Sequence, residues 1–172
     1  GMYAQAISIV GTSKGLGVNL PPEVVAIQDI TITNNGNIIL QKLTANNIAI
    51  TSNNNITTQN KIYTKSNLNL TTEETLNIQT NNSQLNSENN ITLQAKNLIN
   101  QGIISSGVEE NGSINEKGNL NIVVQNTLTN NNTIQSSKNL NLNSNTLINE
   151  GYIQSQINLN ITSSEIKNYA LI

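Results

Sequence analysis

The chain has 172 residues and a formal net charge of −2, from 8 lysines, no arginine and 10 acidic residues. So little charge gives no electrostatic drive toward nucleic acid or an anionic membrane, and no apolar run approaches the ~18 residues that span a bilayer. Asn is the commonest residue, with Ile, Thr, Leu and Ser next, while His, Cys, Trp and Phe are absent. Nucleophile–base constellations therefore have almost nothing to be built from. The expectation is no catalytic residue, no cofactor and no metal. Absence of Cys fits the cytosol and an exported chain equally, so it leaves the compartment open.

Tyr3 to Val10 reads as a strand with Ile7 and Ile9 on one face. Gly11-Thr12-Ser13-Lys14-Gly15-Leu16-Gly17 follows. Strand then Gly-x-x-x-Gly-x-Gly suggests a dinucleotide loop, but that loop needs a helix behind it to hold the pyrophosphate. Pro21 and Pro22 come almost at once, and proline cannot continue a helix. Tyr63 and Lys65 lack the Tyr-x-x-x-Lys spacing of such enzymes. The glycines read better as a tight turn between strands.

One pattern recurs down the chain: Ile7-Ser8-Ile9, Ile30-Thr31-Ile32, Ile48-Ala49-Ile50, Leu68-Asn69-Leu70, Ile91-Thr92-Leu93, Leu120-Asn121-Ile122, Leu140-Asn141-Leu142 and Leu159-Asn160-Ile161. The steps are 23, 18, 20, 23, 29, 20 and 19 residues. A repeat of this length marks a stacked architecture. A second aliphatic row runs Ile38, Ile56, Leu76, Leu98, Leu128, Leu147, Ile166, and a third Leu43, Ile62, Leu85, Ile104, Ile134, Ile153, Ile172. Three apolar points per repeat predict an all-β fold: a parallel β-helix, or β-solenoid, with three short strands per coil of about 20 residues. A disordered Asn-rich tract would have no reason to space its aliphatics so. Eight coils at the inter-strand spacing make a rod of roughly 35–40 Å.

Leu98-Ile99-Asn100-Gln101-Gly102 aligns with Leu128-Thr129-Asn130-Asn131-Asn132, Leu147-Ile148-Asn149-Glu150-Gly151 and, loosely, Ile166-Lys167-Asn168-Tyr169-Ala170. Asn is constant in third place, and stacked amides there can bond in ladders. Gly or Asn in fifth place predicts a corner with positive φ. The long interval before Leu120 holds an insertion, residues 107–118, with three of the ten glycines and four charged residues. Solenoid insertions emerge as surface loops, tolerated at small entropic cost and often used for binding. The candidate binding residues are Glu109, Glu110, Asn111, Glu116 and Lys117; they lack the dense ligand pattern of a calcium loop. The pairs Glu73-Glu74 and Glu109-Glu110 would point to opposite faces if they lay in strands.

Gly1-Met2-Tyr3-Ala4-Gln5-Ala6-Ile7-Ser8-Ile9-Val10-Gly11-Thr12, with Gly15-Leu16-Gly17-Val18-Asn19 behind it, resembles the Gly-Met-Tyr-Ala…Gly-x-Gly-Val segment of the filamentous haemagglutinin family. The resemblance implies that residues 1–29 correspond to the end of a secretion domain and 30–172 to haemagglutinin-type repeats. It implies a right-handed parallel β-helix, the hand that strand crossovers also prefer. It further implies export through an outer-membrane two-partner transporter and residence in the medium or on the bacterial surface. With no signal peptide at the start and no clear cap at either end, the chain reads as a piece of a longer exoprotein. The expected role is a shaft for adhesion or for presenting a toxic or receptor-binding tip, as in adhesins, haemolysins and contact-dependent inhibition proteins. Its partner would be a host or bacterial surface receptor or a glycan. The alternative is a carbohydrate-binding or carbohydrate-active β-helix. Ice binding would require an unbroken Thr array, but Thr31-Ile32-Thr33 is matched by Asn121 and Val123 further on.

Overall fold

The computed structural model describes residues 1–172 as 21 strands and no helix. Successive strands lie on three faces of a coil, and each pairs in parallel with its counterparts one coil earlier and later. The first face begins with Ile7–Gly11, Asp29–Asn34 and Asn47–Ser52. The second begins with Val18–Asn19, Ile38–Leu40 and Ile56–Thr58. The third is an eight-stranded sheet from Met2–Ala4 to Tyr152–Ser155. The chain is thus a parallel β-solenoid of about eight turns.

Strand pairing stacks like on like. On the first face Ile7 pairs Ile30, Ile48, Leu68, Ile91, Leu120, Leu140 and Leu159 in turn. On the second, Val18 leads to Ile38, Ile56, Leu76, Leu98, Leu128, Leu147 and Ile166. On the third, Val24, Leu43, Ile62, Leu85, Ile104, Ile134 and Ile153 stand in one column. The buried members of these columns, with the apolar residues two or four positions farther along each face, form a single core cluster of 32 residues, while Ile166 in the last coil is exposed. Side chains alternate across a strand, so every second residue enters that core, and each fully buried Ile or Leu contributes about 1.5–3 kcal/mol.

The structure differs from the sequence expectations in five places. Tyr3–Val10 is two strands, because the chain leaves the third face at Gln5-Ala6 and starts the first at Ile7. The last three coils run their first and second faces as one bent strand of 11 residues: Leu120–Asn130, Asn139–Asn149 and Asn158–Asn168. They therefore have three faces but two strands. Ile172 lies in no strand; only the bridge from Tyr152 to Leu171 continues the third face there. Glu73 and Glu74 occupy an exposed bend between strands, where strand alternation does not apply.

The fifth difference concerns the corners. No residue other than Gly15, Gly107 and Gly112 has positive φ, so Gly102, Asn132 and Gly151 are not left-handed. The two glycines serve close approach instead. A Cβ on Gly102 would sit 2.0 Å from the Ser83 carbonyl oxygen, and one on Gly151 1.9 Å from that of Asn132. Asn100, Asn130, Asn149 and Asn168 do form the anticipated ladder, and it is an interior one. Asn100 Nδ2 donates to Asn130 Oδ1 at 2.8 Å, Asn130 to Asn149 at 2.8 Å, and Asn149 to Asn168 at 2.9 Å. Asn130 Nδ2 also donates to the carbonyls of Asn132 and Tyr152. The same position holds Leu40, Thr58 and Ile78 in earlier coils. Those aliphatic neighbours offer Thr58 nothing to bond, and its hydroxyl is buried without a partner.

Another Asn column explains more of the surplus. The Oδ1 atoms of Asn47, Asn67, Asn90 and Asn119 accept the backbone N–H of Asn67, Asn90, Asn119 and Asn139. Each side chain thus ties the start of one first-face strand to the next.

Two mutant pairs test this packing by thermal or denaturant unfolding. Ile122 is 1% exposed, and Ile122→Asp should cost about 3–5 kcal/mol by burying an unpaired charge. Asn121 points outward and accepts from Asn141; Asn121→Asp keeps that acceptor and should cost less than about 1 kcal/mol. Asn130→Ala leaves several buried groups unbonded and should cost about 2–4 kcal/mol, whereas Asn141→Ala on the outer surface should cost less than about 1 kcal/mol.

Candidate functional site

The insertion leaves the coil at a corner that the next coil turns with Ser137 and Lys138 alone, between Ser136 and Asn139. Its neck is two glycines. Gly107 has φ +78, and a Cβ on it would lie 1.7 Å from Ser137 Oγ; one on Gly118 would lie 2.1 Å from the Gly107 nitrogen. No side chain fits between the two limbs there. Beyond the neck, Val108 and Ile114 form an antiparallel bridge. Glu109 N–H donates to the Ser113 carbonyl at 2.8 Å and Gly112 N–H to that of Glu109 at 2.9 Å. Gly112, with φ +88, makes the tip. The segment is a compact loop closed on itself.

Asn115 anchors it. Its Nδ2 donates to the Glu88 carbonyl at 2.8 Å and to Glu109 Oε1 at 3.1 Å. Its Oδ1 accepts from Lys117 N–H at 2.8 Å and from Ser137 Oγ at 3.3 Å. The loop consequently lies over the third face. Tyr63, Asn86 and Ser105 point outward from that face, yet they are only 4%, 6% and 1% exposed. Their counterparts to either side, Thr44 and Gln135, are half-buried.

Of the five candidate residues, the structure brings three together. Glu109, Glu110 and Asn111 border a groove of about 320 Å³ between loop and sheet, with Lys61, Gln84 and Asn86 opposite. Glu110 also walls a second hollow of about 380 Å³, which holds Tyr63, Lys61 and Lys42. Glu116 and Lys117 lie on the exposed returning limb and line neither. Three further residues belong to the site: Glu88, Tyr63 and Asn115. Glu88 was traceable in principle, since it stands one coil before Gly107 in the column through Lys65, Glu88 and Gly107. Tyr63 and Asn115 carried no signal, because their roles depend on the direction in which the loop folds back.

The electrostatics centre on two carboxyls. The neighbouring Glu109 carboxyl, followed by burial, raises the pKa of Glu88 above the ordinary glutamate value. Glu88, with the Asn115 amide second, holds Glu109 below it. Tyr63 is pushed well above the usual phenol value, first by burial and then by Glu88; its hydroxyl meets no acceptor in bonding geometry. Lys61 Nζ stands 5.9 Å from the centre of the Tyr63 ring. Farther along the same face, Lys42 pairs Glu23 at 2.9 Å and Tyr3 donates to Glu23 at 2.5 Å, linking three successive coils. No group of three or more His, Cys, Asp or Glu side chains converges anywhere. Chemically, the arrangement can bind and orient polar groups; it holds no nucleophile with a base beside it.

Deleting Val108–Lys117 and joining the glycines should leave the coil intact, with stability within about 1 kcal/mol, because only a closed surface loop is lost. Tyr63 would then face water. Ultraviolet pH titration should show its ionisation moving down toward the ordinary phenol range near ~10.

Comparison with known proteins gives one finding. Residues 67–110 and 105–168 match the family model of the haemagglutinin repeat, and the two matches meet at the insertion. No curated protein and no solved structure matches the chain. The matched segments cover more than half of the 172 residues, and each runs through more than one of the coils described above: the chain belongs to the haemagglutinin repeat family.

Proposed function

We propose that this solenoid is a shaft segment of a large bacterial exoprotein, exported by an outer-membrane two-partner transporter and displayed on the cell surface or released. Its work is mechanical. Each coil templates the next, and the product is a stiff spacer that carries an adhesive, receptor-binding or toxic part away from the cell. The observation that carries this reading is the stacking of three aliphatic columns, like on like from coil to coil, in a member of the haemagglutinin repeat family. The likeness of residues 1–29 to the end of a secretion domain supports the export route. The surface offers no nucleophile with a base beside it, which is consistent with a non-enzymatic role.

A second reading has one observation in its favour. The groove beneath the insertion is lined by amides, among them Gln84, Asn86 and Gln135, which suits a neutral carbohydrate. A glycan array combined with a polysaccharide-degradation assay separates the two. The shaft reading expects no turnover and no glycan-selective signal that Gln84→Ala or Asn86→Ala removes. Turnover of any polysaccharide would overturn it. For export, disrupting the transporter in cells that make the exoprotein should retain this segment inside the outer membrane; undiminished secretion would refute the route.

A further inference from the structure

Asn precedes Gly at two places in the chain, Asn35-Gly36 and Asn111-Gly112. At such a pair the next backbone nitrogen can attack the side-chain amide, because glycine has no Cβ to shield that nitrogen or to restrict its approach. The fold treats the two pairs differently. Asn35 is clamped: its Nδ2 donates to the Thr12 carbonyl at 2.6 Å, and its Oδ1 accepts from Asn53 Nδ2 at 2.6 Å. Gly36 is buried, and a Cβ on it would stand 2.1 Å from the Leu16 carbonyl oxygen. Swinging the Asn35 side chain onto the Gly36 nitrogen would break both bonds inside a packed corner. Asn111 and Gly112 are exposed at the tip of the insertion. The Asn111 side chain makes one hydrogen bond within the protein, its Oδ1 accepting from Ser113 N–H at 2.9 Å. That donor sits on the oxygen where negative charge gathers when the side-chain carbonyl carbon is attacked. One contact opposes the attack: Gly112 N–H donates to the Glu109 carbonyl at 2.9 Å, and this bond must open first. It lies in a surface turn where a Cβ on Gly112 would meet nothing within 4 Å, and such exposed turns open at little cost.

We propose that Asn111 is a self-modification site: its side-chain amide becomes a carboxylate through a cyclic imide formed with the Gly112 nitrogen, while the coil around Asn35 keeps the other pair intact.

The substrate is the chain itself, and the co-reactant is water. The Gly112 nitrogen gives its proton to solvent hydroxide and attacks Asn111 Cγ. The N–Cγ bond forms, the Cγ–Nδ2 bond breaks, and Nδ2 takes up a proton and leaves as ammonia. Water then opens the imide. Addition at Cγ breaks the new bond to the Gly112 nitrogen and gives Asp. Addition at the Asn111 backbone carbonyl carbon breaks its bond to that nitrogen and gives the β-linked isomer, with the main chain now running through Cβ and Cγ. No electrons are exchanged with any other group. Either product sets a new carboxylate beside Glu109 and Glu110 on the border of the groove. With Glu109, Glu110 and Glu116 against Lys117, the insertion's charge moves from −2 to −3. A groove lined mainly by amides thereby acquires a more acidic rim as the protein ages, without any enzyme.

The test incubates the whole folded chain in mildly alkaline buffer and follows both pairs by peptide mapping. Cleavage after lysine places Asn35 in the peptide 15–42 and Asn111 in 97–117, and fragmentation assigns the amide-to-acid mass change to a residue. A sample digested at once gives the baseline. The proposal expects Asn111 to convert at least about tenfold faster than Asn35 in the folded chain, and the product to separate into Asp and its β-linked isomer. In denaturant, where both clamps on Asn35 are gone, the two pairs should convert at similar rates. Asn111→Gln, whose longer side chain closes the ring poorly, should abolish the signal at the tip while the rest of the map stays unchanged. Equal rates at Asn35 and Asn111 in the folded chain would overturn the proposal. So would a preference for Asn111 that persists undiminished in denaturant, since the fold would then have no part in it.

Discussion

Register is the constraint on which everything else rests. A coil of about twenty residues cannot bury its own aliphatic face; it needs an identical face above and below. Parallel pairing supplies this only if each residue lands on its counterpart, since a slip by one residue would turn every inward side chain outward. The chain meets that demand by putting Ile or Leu at the same three points of nearly every coil. Backbone ladders and apolar columns then specify the same arrangement, and that agreement lets so short a unit define a unique structure.

The abundance of Asn follows from the same constraint. A polar residue stacked on itself must be able to bond to itself, and an amide carries both donor and acceptor. In the interior column, Asn130 satisfies its neighbours in both directions and the local carbonyls besides. Thr58 shows the failure case: between Leu40 and Ile78 it has no like neighbour, and its hydroxyl is stranded. A buried polar group without a like neighbour or a local partner is left unbonded, whereas a continuous column satisfies itself.

The fold was legible because burial at period two leaves a trace in one dimension. Ile7 to Leu159 could be aligned by eye, and the pairing follows that alignment residue by residue. The corners were less legible, for a physical reason: Gly can mean left-handed backbone or mere lack of a Cβ, and the sequence does not distinguish them. At Gly102 and Gly151 the second meaning holds. Strand ends were also hidden, since Leu120–Asn130 bends without breaking its ladder while Met2–Ala4 and Ile7–Gly11 separate at Gln5-Ala6. At the insertion, the charged residues were visible but their geometry was not. Glu109 and Glu110 turn toward the rod, Glu116 and Lys117 away from it, and nothing in their spacing shows that choice.

The amide columns also have polarity. In the interior, Asn100, Asn130 and Asn149 each donate toward the C-terminal end. On the outer surface, Asn160 donates to Asn141 and Asn141 to Asn121, toward the N-terminal end. The two columns run in opposite directions along the rod, so the amide dipoles of one oppose those of the other.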